Sequence, residues 1–232
     1  NVRGKKFKSN GKGYDGEEGH WLEGLMGIEA NSDNAPDKYG YEQKKISKSK
    51  ITLGDWSASW YMWHDGNMNR NEFIRTFGLC NKRKGDRFSW SGRASPTYGK
   101  WNQCGQRLFF EDGHLVADYC YAEDNRTDKN SLVPEHLHSG RHIIATWFKE
   151  NLSEKVNNKF NQRGFYILTK DKDGVYNDIL FGPPFGYDKF IDLMKSGEFF
   201  FDSGMYEGNS RNYSIFRGSV NMWLNMASHG GP

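Results

Sequence analysis

The spacing of apolar and polar positions changes period several times along the chain, and each change marks an element. Between residues 17 and 27, Trp21, Leu22, Leu25 and Met26 recur at helical spacing, and Gly27 supplies a stop. Residues 39–46 and 50–57 alternate as strands and read as an antiparallel pair, while residues 70–77 suit a short helix. Asp112-Gly113 and Asp173-Gly174 each separate two strand-like runs, which predicts hairpins over 107–121 and 165–181. Residues 143–160 read as a strand running into an amphipathic helix. Residues 187–195 read as a helix, and 199–203 with 213–217 as a last strand pair. Helices interspersed among mostly antiparallel strands predict an α/β or mixed α+β fold around one central sheet.

Composition narrows the class. A chain of 232 residues with 36% hydrophobic and 26% charged positions has enough apolar material for a real core. No apolar run approaches the roughly 20 residues of a membrane helix, and no signal-peptide pattern opens the chain, so no membrane partner is expected. The first residue is Asn1 rather than Met, which leaves room for a missing N-terminal segment. Three cysteines, Cys80, Cys104 and Cys120, form neither an even disulfide set nor a metal-knuckle spacing, which favours a reducing compartment.

A net charge of +3 says little, but the distribution is clustered. Arg3, Lys5, Lys6, Lys8 and Lys12 open the chain, Lys44, Lys45, Lys48 and Lys50 follow, and Lys82, Arg83, Lys84, Arg87, Arg93, Lys100 and Arg107 form a third group. Such clusters, Lys12 included, suit phosphate contacts with a polyanion.

The most informative string is Asp37-Lys38-Tyr39-Gly40-Tyr41-Glu42-Gln43-Lys44. Strand alternation puts Glu42 and Lys44 on one face, about 7 Å apart along the backbone. Asp37, just before the strand, can swing its carboxylate toward Glu42. Two convergent carboxylates offer the hard oxygen ligands that Mg²⁺ prefers, with positions left for water and phosphate. A lysine beside them is placed to orient a water and to neutralise charge on pentavalent phosphorus. Nearby carboxylates favour its ammonium form, so Lys44 reads as an electrostatic stabiliser more than as a proton acceptor. An acid followed two residues later by lysine occurs nowhere else in the chain. Glu23, on a helix with Gly16, Gly19 and Gly24 around it, is the candidate third acid.

The string Gly16 to Gly27, then Ala35-Pro36-Asp37, then Glu42-Gln43-Lys44, resembles the N-terminal half of the MvaI/BcnI-type type II restriction endonucleases. These are related to the nicking endonuclease MutH within the PD-(D/E)xK nuclease superfamily. The resemblance implies a restriction-endonuclease-like fold, with a central mixed β-sheet flanked by helices and a DNA-recognition lobe. It implies Glu23, Asp37, Glu42 and Lys44 as the catalytic set, with Asp37, Glu42 and Glu23 as Mg²⁺ ligands. It further implies hydrolysis of double-stranded DNA to 5′-phosphates by a monomer in the bacterial cytoplasm, with a cognate DNA methyltransferase protecting the host. On this reading roughly residues 10–70 and 140–182 form the catalytic lobe, and 71–139 and 183–232 carry recognition elements.

The likeness extends loosely to Ile74–Gly78, Ser91-Gly92-Arg93, residues 147–160 and residues 202–217. From it, Arg211 and Arg217 are candidates for reading guanine edges. Tyr206 and Asp202 would support them, or Asp202 would accept from cytosine. Arg75 and Arg93 are candidates for phosphate contacts. A basic, histidine-rich insert expected between the last two strands is replaced by residues 207–212, so the recognition sequence does not carry over. His136, His138 and His142 lack a complete zinc-ligand spacing and read as a polar loop. Rival readings are a MutH-like nickase and a non-catalytic module that binds DNA or, given 16% aromatic content, carbohydrate.

Overall fold

The computed structural model describes residues 2–9, 11, 17–28, 34–47 and 49–228, so Lys12 lies outside the described residues. The chain is a mixed α+β structure that divides into two compact units. One comprises residues 1–51, 154–190 and 218–232, and the other residues 52–153 and 191–217.

The first unit is built on α1 (Glu17–Met26) and the strand β1 (Glu42–Lys45). Most of the other elements belong to the second unit or cross into it. They begin with β2 (Lys50–Asp55), β3 (Trp60–Tyr61), α2 (Arg70–Phe77), β4 (Leu79–Asn81), β5 (Arg87–Ser91) and β6 (Thr97–Tyr98). The long strands β7 (Cys104–Glu111) and β8 (His114–Asp124) follow, then α3 (Lys129–Leu132) and β9 (His142–Trp147). The helix α4 (Lys149–Phe160) leads back to the first unit with β10 (Phe165–Lys170) and β11 (Tyr176–Gly182). The chain ends through α5 (Tyr187–Ser196), β12 (Phe199–Tyr206), β13 (Ser214–Ser219) and α6 (Val220–Ser228).

Among the described residues three sheets result, in the orders β1-β10-β11, β2-β13-β12-β5-β4 and β3-β9-β8-β7-β6. The predicted antiparallel partnership of residues 39–46 with 50–57 does not form. Instead β1 runs parallel to β10, with Glu42 opposite Phe165 and Lys44 opposite Ile167. Burial explains the choice: β10 has Phe165, Tyr166, Ile167 and Leu168 buried on both faces, the pattern of a strand covered from two sides. The segment 50–55 joins the second sheet beside β13.

Both predicted hairpins form, as β7–β8 and β10–β11. At the first tip Asp112 (φ 49°) and Gly113 (φ 82°) take the left-handed pair a two-residue hairpin turn requires.

In the first unit, one face of the three-stranded sheet is sealed by α1. Leu22 is buried against Tyr166, Leu168 and Tyr176, with Trp21, Leu25 and Met26 around it. Glu18 fastens this helix: its carboxylate accepts from Lys170, from Tyr176 at 2.9 Å and from Lys45 at 3.1 Å. Burial alone would raise its pKa, but these partners outweigh burial and hold it below the usual range. The opposite face is covered by α6, whose Trp223 meets Phe165 edge-on at 4.7 Å and Phe160 at 5.9 Å. This last helix, absent from the sequence reading, covers the face that carries Glu42 and Lys44.

Candidate active site

The spacing between Asp37 and Glu42 has a structural cause. Lys38 and Tyr41 exchange backbone hydrogen bonds at 3.1 and 2.9 Å, with Tyr39 (φ 52°) and Gly40 (φ 81°) at the tip between them. The four residues make a minimal hairpin that turns Asp37 back alongside the start of β1. Asp37 Oδ2 then accepts the Gln43 N–H at 2.7 Å, satisfying a donor on the edge of β1 turned away from β10. Glu42 N–H is held by Gly164 O at 3.0 Å. A side chain at Gly164 would place a Cβ 2.3 Å from Gly182 O, and its φ of 89° also favours glycine. Register and turn together fix the two carboxylates.

Glu42 and Lys44 lie on the helix-covered face, both buried, with Nζ 2.8 Å from Oε1. The ammonium of Lys44 also lies 5.3 Å from the Phe160 ring and 5.9 Å from Trp223. A second lysine, Lys159 of α4, reaches the same Oε1 at 3.1 Å. Glu42 Oε2 is buried without a hydrogen-bond partner. Burial pushes the Glu42 carboxyl up despite both lysines, and Asp37 adds to the rise. Burial also pushes Lys44 down, reinforced by Lys159, despite Glu42 and Asp37. Glu42 and Asp37 favour the ammonium, as expected, but burial, which the sequence does not show, outweighs them in the net direction.

Glu23 stands apart from this cluster. It projects from α1 on the other face of the sheet, partly exposed, with His20 Nδ1 at 3.1 Å. Its link to the other acids is Tyr166, whose hydroxyl donates to Gln43 Oε1 at 2.8 Å. Burial raises the Tyr166 pKa, and Asp37, Glu42 and Glu23 all add to the rise, so three carboxylates act on one phenol.

Apart from Lys12, which lies outside the described residues, the expected DNA-contacting residues lie in the second unit. Arg75 pairs with Glu207, which also accepts the Phe88 N–H at 2.8 Å. Arg211 pairs with Asp55 at 3.1 Å, and Arg217 lies 2.8 Å from Asp202 while donating to Thr52 at 2.9 Å. Arg93 is exposed on a 3-10 turn, and Tyr206 ends β12. Of the three histidines, His138 bonds Val133 O and His142 bonds Ser139 O. Among the described residues no group of three or more His, Cys, Asp or Glu side chains has metal-holding geometry.

A family model described as LlaMI restriction endonuclease matches residues 2–229. The chain belongs to that family. It is 37% identical over 248 aligned residues to the type II restriction enzyme ScrFI of Lactococcus lactis subsp. cremoris, covering 96% of this chain and 92% of ScrFI. The solved complex of the restriction endonuclease MvaI with cognate DNA substrate matches with a TM-score of 0.60 at 13% identity, over 96% of this chain and 89% of that one. That likeness shows the restriction-endonuclease-like fold. As a LlaMI-family member the protein is a type II site-specific deoxyribonuclease, a hydrolase of DNA phosphodiester bonds.

Enzymes of this kind are typically metal-dependent, and the donors present suit a hard divalent ion. Glu42 offers a buried oxygen without a partner, and Asp37 lies close enough to act on its charge. Mg²⁺ commonly needs only one or two carboxylates besides water and phosphate, so a complete protein cage is not required.

Lys159 is the site residue that sequence reasoning missed. Leu152, Val156 and Phe160 form the buried stripe of its helix, and a lysine beside such a stripe reads as solvated surface. Only its fold-dependent meeting with Glu42 reveals it.

Proposed function

We propose that this LlaMI-family enzyme cuts double-stranded DNA with Mg²⁺ held by Asp37 and Glu42, with Lys44 and Lys159 as the cationic half of the site. The observation that carries the reading is the buried Glu42–Lys44 pair, with Asp37 locked beside it on the Gln43 amide. Bound there, Mg²⁺ would polarise the scissile phosphate and neutralise charge on pentavalent phosphorus. Lys44 holds the attacking water at Nζ in line with phosphorus. As an ammonium paired with Glu42 it offsets the charge that develops on phosphorus, and a phosphate oxygen of the substrate takes the water's proton. The 3′-oxygen departs and a 5′-phosphate remains. Lys159 faces the same carboxylate and adds positive charge toward phosphate oxygens. Glu23, by way of Tyr166 and Gln43, shapes the other side of the acidic edge.

In this proposal the first unit is the catalytic lobe and the second the recognition lobe, with Asp202, Tyr206, Arg211 and Arg217 at bases and Arg75 and Arg93 at phosphates. Lys12 would add a phosphate contact. The resemblance of the catalytic strings to MvaI/BcnI-type enzymes supports a monomer that cuts the strands in turn in the bacterial cytoplasm, with a methyltransferase protecting host sites. Among the described residues no helix is long and apolar enough to cross a membrane.

The test is digestion of supercoiled plasmid with Mg²⁺. Discrete linear fragments are expected from the wild type. Asp37→Ala and Glu42→Gln should lose cleavage while retaining DNA binding in Ca²⁺. Either variant cutting within tenfold of wild type would overturn the assignment, and products that stop at open circles would point to a nickase.

A further inference from the structure

The sheet β2-β13-β12-β5-β4 has one face in the core and one outside it. Pairing of Met205 with Trp90 places both fully buried side chains inward. The neighbouring pair, Tyr206 with Ser89, therefore points to the other face. Alternation adds Arg87 and Asp202 to that outer face, and pairing of β4 with β5 adds Asn81 opposite Arg87. Arg217 joins them through its contacts with Asp202 and Thr52.

The arginines near this face are not equivalent. Arg217, Arg211 and Arg75 each have a carboxylate partner on the protein. Arg87 has none among the described residues: its guanidinium lies over the Tyr206 ring with Cζ 3.7 Å from the centroid, and its Nε is buried without a hydrogen-bond partner. Stacking on a phenol fixes the guanidinium plane while leaving its in-plane N–H groups uncommitted. The turn that precedes Arg87 carries exposed Lys82, Arg83 and Lys84, a tip suited to draw in a phosphate backbone. An aromatic-stacked, unpaired guanidinium beside a cationic turn is arranged for a planar acceptor pair on DNA.

We propose that Arg87 is a specificity-determining residue of this enzyme, reading O6 and N7 of one guanine in the major groove while Tyr206 holds its plane. The inference rests on the family's activity on DNA and not on which residues cut, because it is read from ratios among the sequences that are cut.

Wild type, Arg87→Lys and Arg87→Ala are each given a library of duplexes with a randomised segment, and the cleaved ends are sequenced. Arg87→Lys keeps charge and stem but loses the fork, so it carries the test even if the alanine variant folds poorly. Both variants should lose preference for one G·C pair by about 5- to 150-fold, with other positions unchanged. A profile identical to wild type overturns the proposal. So does a loss spread evenly over all sequences, which would make Arg87 a phosphate or scaffold contact.

Discussion

Replacing Lys159 with methionine isolates the second ammonium on Glu42. Methionine keeps most of the stem and removes the charge. Nζ is 3.1 Å from Oε1, with side chains 15% and 5% exposed. At that distance unit charges attract by about 5 kcal/mol at an effective dielectric constant of about 20, and by about 1.3 kcal/mol in bulk water. Lys44 remains at 2.8 Å and retains much of the neutralisation, so a net loss of about 2 kcal/mol is expected without metal. For a chain of this size that lowers the melting temperature by about 4–8 °C in EDTA. Ca²⁺ should then restore more stability to the variant than it adds to wild type, because it enters a carboxylate site with one cation fewer. Its affinity should rise by roughly tenfold, measured by calorimetry, for a relief of about 1.4 kcal/mol. Equal melting temperatures in EDTA, with equal gains from Ca²⁺, would refute the idea that Lys159 balances Glu42.

Further expectations concern other parts of the molecule. Glu18 has a depressed pKa, so its contribution is present above the ordinary value of 4.5 and is lost as pH falls through the lower folded value. Glu18→Gln should therefore flatten the acid limb of a stability–pH curve, and an unchanged limb would remove Glu18 from the anchoring of α1. Arg126, buried on Asp124 and on the carbonyls of Thr76 and Gly78, should cost about 3–5 kcal/mol when replaced by methionine, measured by urea unfolding. A loss below 1 kcal/mol would show the network to be dispensable. Burial pushes the Cys104 thiol to about 11, so at pH 8 a thiol reagent should label exposed Cys80 first and reach Cys104 only on unfolding. Arg93→Ala should weaken DNA binding alike on all sequences and lower the salt slope by about one, whereas a sequence-dependent loss would make it a base reader.

Local features were legible because their causes are local. The alternation that put Glu42 beside Lys44 is a property of one strand, and Asp112-Gly113 needs only its own backbone angles to turn. The helical stripe around Leu22 could be read before its partners were known. What stayed hidden depends on segments distant in sequence. Nothing in residues 39–57 says that β1 prefers Phe165–Leu168 to its neighbour, since the choice depends on two helices covering both faces. Arg211 shows its charge in the sequence but not Asp55, which reaches it only in the folded sheet. Lys44 illustrates the same limit: its acidic neighbours are visible in the string, whereas Phe160 and Trp223, which help bury it, are not.

The order in which the chain supplies β1, β10 and α6 has a consequence during synthesis. Glu42 and Lys44 emerge from the ribosome early, yet the strand that pairs with them begins at Phe165 and the tryptophan over Lys44 is Trp223. A half-made polypeptide therefore holds its acids and lysine on an unpaired segment with nothing to fix their geometry. If the proposed site is the one that cuts, its geometry is complete only once β10 and α6 have been made.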